Sequence, residues 1–381
     1  MRSSYQKTRR CLISVMDLYL ARELSRFFLF SLGLLTGSGV AVGTVAELIH
    51  KIAEYQLPLS IASQIFGYKI PEYGAYALPI SILLTCLVVY SRLNDDRELT
   101  ALLSFGISFY RLILPALTFS LAITAITFIL NELIVPAANY QANLLQTAFI
   151  PNSELNLQRQ NVFFAEYEPD SVTTKRVKRI YFAEQYDHSW LRQVTILSFQ
   201  SDRLERIITA RSAQWNQQQQ IWLLASGIIH NFATEQKKST IEEFKAKQLA
   251  LPPTIFKIIA QERSPEEMNI PQAQAYLNLI KDSGSAQELT KFKVRIQQKY
   301  AFPFICVVFS LVGSALGGKY GQLNRSTSFG FCVAIVFTYY FLGFVIGSLG
   351  ITGLLSPFLA GWLPNIVALT IGIYLVNSAN K

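Results

Sequence analysis

Six long apolar stretches constrain this chain more than anything else in it. They are Phe27 to Ile49, Tyr76 to Tyr90 with the apolar residues before it, Leu112 to Val135, Ala301 to Gly318, Phe329 to Leu349 and Pro357 to Val376. Each reaches or approaches the ~20 helical residues needed to cross a ~30 Å hydrocarbon core, so six transmembrane helices are expected. A content of 51% hydrophobic and 15% charged residues over 381 positions argues against an all-soluble protein in the same direction. The second stretch is the least regular. Its helical tract begins near Leu59 and carries Lys69, Pro71, Glu72 and Pro79, so its first part is expected outside the hydrocarbon or kinked at a proline.

Between the third and fourth stretches, from about Gln141 to about Gln298, the composition turns soluble. Six short β-rich runs lie there: 161–167, 179–185, 193–199, 205–210, 220–232 and 239–246. Polar turns separate them, which predicts an antiparallel sandwich or jelly roll rather than βαβ units. The run of glutamines at 217–220 reads as a hairpin connection. Two helical segments follow the strands. In the first, Ser264 is the expected cap, Pro265 the first helical residue, and Glu266 and Glu267 suit the positive end of the helix dipole. The second, AQELTKFKVRIQQKY, leads into the fourth stretch. The expected organisation is an amphipathic N-terminus over 1–26, three spans over 27–138, a β-domain over 139–263, a helical connection over 264–298 and three spans over 299–381.

Lysine and arginine in the short flanks set the expected orientation. Six precede Phe27 (Arg2, Lys7, Arg9, Arg10, Arg22, Arg26), three lie between spans two and three (Arg92, Arg97, Arg111) and two between spans four and five (Lys319, Arg325). The opposite short loops carry only Lys51, which predicts both termini in the cytoplasm and the β-domain on the far side. The formal charge of +9 then belongs beside anionic lipid headgroups, and no nucleic-acid partner is expected. Met16 opens an amphipathic lead-in to span one and is a candidate start; native peptides from residues 1–15 would remove that expectation.

Catalytic and metal signatures are sparse. Cys11, Cys86, Cys306 and Cys332 stand singly, and His50, His188 and His230 lie far apart in sequence. Gly313 to Lys319 reads GSALGGK, but Tyr320 stands where a phosphate loop needs Ser or Thr, and the run ends an apolar span. Any nucleotide-driven work must draw on another chain. Glycines four apart recur at 33/37, 39/43, 313/317 and 343/347, a spacing that lets membrane helices approach closely. Ionisable residues inside the spans are few: Glu47, Lys69, Glu72 and Glu132, with Lys69 and Glu72 spaced to pair on one helix face.

Several strings together resemble one family. MDLYLARELSRFF, LPLS with IPEYGAYALPISILL, SRLNDDRELTALLSFGIS, NELIVPAAN, TARSAQWNQQQQIWLL, PEEMNIPQAQAYL and GWLPN occur in the order found in the LptF/LptG permeases of lipopolysaccharide export, from about Met16 to the C-terminus. The resemblance implies a non-enzymatic subunit with three plus three spans, a periplasmic β-jelly roll and no cofactor. It implies a second LptF/LptG-type subunit or second copy of the chain, a cytoplasmic LptB-like ATPase dimer, and a periplasmic bridge protein of the LptC/LptA type. Lipopolysaccharide would enter between the subunits near spans one and five, where Gly33, Gly37, Gly39, Gly43, Gly343 and Gly347 lie. Characterised members carry basic residues in span one, whereas Phe27 to Ile49 has none; Lys51 or the partner subunit would then supply charge, or the substrate would differ.

In the family the segment between spans two and three is a coupling helix docked on the ATPase. Here it covers about 94–106. Asp95 and Asp96 would sit near its start, Arg97 beside them, Leu99, Leu102 and Leu103 on one side and Gly106 at its end. Glu98 matches the glutamate that contacts the ATPase, where a carboxylate can accept a paired bond from an arginine. The alternative readings are a permease of another ABC-type lipid exporter, a lipoprotein-releasing permease, which would have one span before its outer domain rather than three, and a membrane-anchored enzyme with a β sensor domain, which would need a catalytic cluster.

Overall fold

The computed structural model describes residues 14–149, 160–169, 175–187, 190–200, 203–216, 221–232, 239–249, 267–280, 286–319 and 325–379. The first helix, α1, runs from Val15–Val40 through a π-helical turn, Ala41–Val45, to Ala46–Tyr55. Helix α2 spans Leu59–Asp95 and the short α3 spans Glu98–Ser104. Helix α4 is built likewise of Phe109–Ile129, a second π-turn at Leu130–Ile134, and Val135–Phe149. After the β-domain come α5, Ile270–Ile280, and α6, Ala286–Ala301. A 3-10 turn at Phe302–Phe304 leads into α7, Ile305–Lys319. Helices α8, Arg325–Ile351, and α9, Pro357–Ala379, complete the chain. Six helical stretches are long and apolar enough to cross a membrane, as the sequence predicts, with α6 and α7 continuous in the fourth.

Helix α2 carries no charged residue from Gly74 to Ser91, the pattern of a helix buried among others. It packs on α1, α4, α7 and α8. Pro71 and Pro79 leave it one unbroken helix, and its first turns pack Ala62 and Ile65 against Leu48 of α1 and Ala142 of α4. The approach of α7 depends on glycine. A Cβ on Gly317 would lie 2.7 Å from the Leu87 carbonyl oxygen, and one on Gly313 2.9 Å from that of Leu83. Gly313 to Lys319 is therefore a helix packed on a helix, with no phosphate-cradling loop. Short polar bonds stitch the spans: Ser31 and Thr85 at 3.2 Å, Tyr90 to the Leu112 carbonyl at 2.7 Å, and Ser310 to the Ala116 carbonyl at 3.0 Å.

The inserted domain is antiparallel β, and all six runs expected as strands are strands. They are β1 Gln160–Pro169, β2 Lys175–Asp187, β3 Trp190–Gln200, β4 Arg203–Asn216, β5 Ile221–Asn231 and β6 Thr240–Leu249, paired in chain order as one sheet. Residues 217–220 lie outside the described residues, but Asn216 pairs with Ile221, as a hairpin connection requires. One face gathers Leu191, Val194, Ile196, Ile208, Leu224 and the fully buried Trp222. Phe244 pairs with Gly227 across β5 and β6, and its ring fills the space a side chain there would need.

Two sequence expectations change at the domain's edges. Helix α4 continues to Phe149, past the expected domain start at 139, because residues 135–149 contain no breaker after Pro136. Helix α5 is capped by Asn269 rather than Ser264: Asn269 Oδ1 accepts from Gln272 N–H at 2.9 Å while Gln272 Oε1 accepts from Asn269 N–H at 3.1 Å, a reciprocal capping box. Ser264, Pro265 and Glu266 lie outside the described residues. Glu267 is buried and accepts from Asn143 on α4 instead of facing a dipole.

Candidate functional site

At the end of the bundle opposite the β-domain, the chain leaves α2, turns within two residues and forms α3. Asp96 N–H donates to the Arg92 carbonyl at 2.9 Å, Arg97 N–H to that of Asn94 at 3.0 Å, and Arg97 takes the left-handed conformation at φ 59°. Asp95 and Asp96 therefore close α2 rather than open α3, a correction to the expected helix start. Nothing in Ser91–Asp95 breaks α2, and Arg92 in its last turn, 4.0 Å from Asp96, offsets acidic charge at the negative end of the dipole. Glu98 alone supplies the acidic first turn of α3.

The far end of α3 agrees with expectation. Gly106, at φ +82°, gives its N–H to the Leu103 carbonyl at 2.9 Å while Ile107 N–H reaches Leu102 at 3.3 Å, the paired bonds of a Schellman stop. The leucines divide. Leu99, 3% exposed, inserts beside Phe109 and Gly318, and Leu102 packs partly on the same core. Leu103 is 38% and Phe105 85% exposed, so Leu103 joins the outward face, contrary to the one-sided reading. That leaves a short helix seated by Leu99 and presenting Leu103, Phe105 and the edge of Glu98 outward. Asn94 Nδ2 donates to the Gly318 carbonyl at 3.1 Å, which ties the same turn to the end of α7.

Helix α1 clasps this turn from the side. Arg92 donates to Glu23 at 3.0 Å, Arg111 to Asp17 at 2.6 Å, and the Tyr19 hydroxyl to the Glu98 carboxylate at 3.1 and 3.4 Å. Beneath them Leu20, Leu24 and Phe28, one turn apart, bury against Leu99 and the α2 core. The sequence reading missed Asp17, Tyr19 and Glu23. Two acids in an otherwise basic flank, facing arginines in the next loop on the same side, were the available signal.

The candidate gate residues fall into two groups. Gly33 and Gly37 on α1 and Gly343 on α8 have nothing within 4 Å of where a Cβ would stand. Gly39 and Gly43 are covered by the Tyr73 ring of α2, and Gly347 lies against Gln298 of α6. Spans one and five thus both lean on α2. Lys51 is not a free cation: it bonds to Glu47 one turn earlier and to Gln146 Oε1 at 3.0 Å. Lys69 and Glu72 pair at 2.9 Å, as their spacing predicts. Among the described residues no three His, Cys, Asp or Glu gather as a metal site; His50 pairs with Glu54, and His188 lies outside the described residues.

Six spanning helices with an antiparallel β-domain between the third and fourth, and a short seated helix on the opposite end, define a multi-pass membrane permease component. The chain matches the lipopolysaccharide export system permease LptF/LptG over residues 18–378, nearly its whole length, and belongs to that family. It is accordingly a multi-pass inner-membrane protein of a lipopolysaccharide export system. No curated protein matches it.

Proposed function

We propose that this chain is one permease subunit of an ABC exporter that extracts lipopolysaccharide from the outer leaflet of the inner membrane and passes it through its β-domain toward a periplasmic bridge protein. Family membership across residues 18–378 carries the reading. The end bearing α3 faces the cytoplasm, as the excess of Lys and Arg in its flanks favours, with both termini inside and the β-domain in the periplasm. ATP is hydrolysed by a separate dimer of ATPase chains docked on α3, and Glu98, Leu103 and Phe105 meet it. Asp95, Asp96 and Arg97 border that surface, and Gly106 fixes where it ends. A second LptF/LptG-type subunit, or a second copy, closes the cavity along spans one and five. The open faces of Gly33, Gly37 and Gly343 suit that contact, while Gly39, Gly43 and Gly347 set how α1 and α8 lean on their own subunit. Since Lys51 is paired, positive charge for lipid phosphates comes from elsewhere, the partner subunit included. Three spans before the β-domain favour this over a lipoprotein-releasing permease.

Copurification tests the reading. Glu98→Arg is expected to release the ATPase, because reversing a carboxylate at a desolvated charge pair costs about 2–5 kcal/mol, at least ~30-fold in affinity. Glu98→Ala should weaken retention less. Retained ATPase and unchanged lipopolysaccharide extraction in both variants would exclude the proposal.

A further inference from the structure

The first turns of α1 meet the cytoplasmic turn and its middle carries the candidate gate glycines Gly33 and Gly37, so a helix that joins them needs a grip at its base. Tyr19 supplies a direct one. Its hydroxyl reaches the Glu98 carboxylate at 3.1 Å, across 79 positions of sequence, from the helix that carries Gly33 and Gly37. A carboxylate has four acceptor sites, so this bond leaves room for a two-pronged arginine from a docked partner on the same group.

The surroundings make Tyr19 a lever point rather than an incidental neighbour. Glu23, one turn further along α1, holds Arg92 at 3.0 Å, and the Arg92 guanidinium also lies 5.7 Å from the Phe27 ring centre. Asp17 holds Arg111 at 2.6 Å, at the start of α4. Those two pairs fix α1 to the ends of α2 and α4, whereas Tyr19 alone of these three contacts touches α3, the element that meets the ATPase in the proposed reading. Above this clasp α1 is lightly held: only 22% of its most apolar window is buried, against 72% for α2. A helix gripped at its base and touching its own subunit at few points above, among them Ser31 with Thr85 and Gly39 and Gly43 beneath Tyr73, carries a displacement at the base along the span.

We infer that Tyr19 is a positioning residue that orients the Glu98 carboxylate for the ATPase and transmits displacement of α3 into span one. This rests on the proposed docking of an ATPase at α3. Tyr19→Phe deletes the hydroxyl and keeps the ring, and it is read in the full transporter, copurified with its ATPase and reconstituted in vesicles containing lipopolysaccharide. ATPase retention should fall less than in Glu98→Ala, while lipopolysaccharide extracted per ATP falls about fivefold or more, the lower end of ordinary coupling between sites. In a Glu98→Ala background, which removes the acceptor, Tyr19→Phe should add little, since both changes break one joint. An unchanged extraction ratio, with or without a lower Tm, overturns the inference, as do two losses that multiply. If Glu98→Arg leaves docking intact, it is the docking proposal that fails; if Glu98→Arg releases the ATPase and Tyr19→Phe leaves the ratio unchanged, it is the role of Tyr19.

Discussion

Spans two and five have similar mean hydropathy, 1.8 and 2.2, yet 72% of the apolar window of one is buried and 6% of the other. Hydropathy records only that both tolerate a dry surrounding, because lipid tails and protein interiors are equally apolar. What separates them is the texture of their partners. Helix α2 meets the glycines of α7 at backbone distance and exchanges hydrogen bonds with α1 and α4, whereas α8 turns Phe337, Phe341 and Phe344 outward. The first arrangement fixes a monomer; the second leaves a surface for lipid or another chain.

That contrast is easiest to break at its glycines. Gly317→Val would drive a branched side chain into the α2 backbone near Leu87 and is expected to cost about 3 kcal/mol or more, the upper range for overpacking. Gly37→Val, with nothing within 4 Å, should leave stability within about 0.5 kcal/mol. Thermal unfolding of the two purified variants decides the point, and equal losses would show that α1 is as tightly packed as α2. Gly106→Ala should cost about 1 kcal/mol, because φ +82° is a left-handed conformation that only glycine adopts freely. Its effect belongs to the cytoplasmic turn, and faster protease cleavage near 105–107 would report it. Thr85→Val, which removes the 3.2 Å bond to Ser31, should cost only about 0.6 kcal/mol, the average for such bonds in membrane bundles. A larger loss would mean that α1 depends on α2 more than its open surface suggests.

Much of this was legible in the sequence because apolar length and strand alternation are local signals. The six spans, the six strands and the glycine stop at Gly106 follow from residues read in place. Two misreadings have one cause: competing signals set a few residues apart. Asp95 and Asp96 look like a helix start, but α2 had not yet ended. Ser264 with Pro265 resembles a capped start and lies outside the described residues, while Asn269, Pro271 and Gln272 repeat the pattern five residues later, and Asn269 caps α5. Tyr19 with Glu98, and Tyr73 over Gly43, join positions whose partnership only the packed helices create. No periodicity within either segment encodes them.

The helices on either side of the inserted segment do not stop with the apolar stretches. Residues 135–149 carry α4 onward by 15 residues, about 22 Å at 1.5 Å per residue. On the return side, α6 adds 16 residues that pass through a single 3-10 turn into span four. A tilt of about 10° in span three, carried along such an arm, would sweep its tip by about 4 Å. The arms nearest the membrane therefore move with the spans that they prolong.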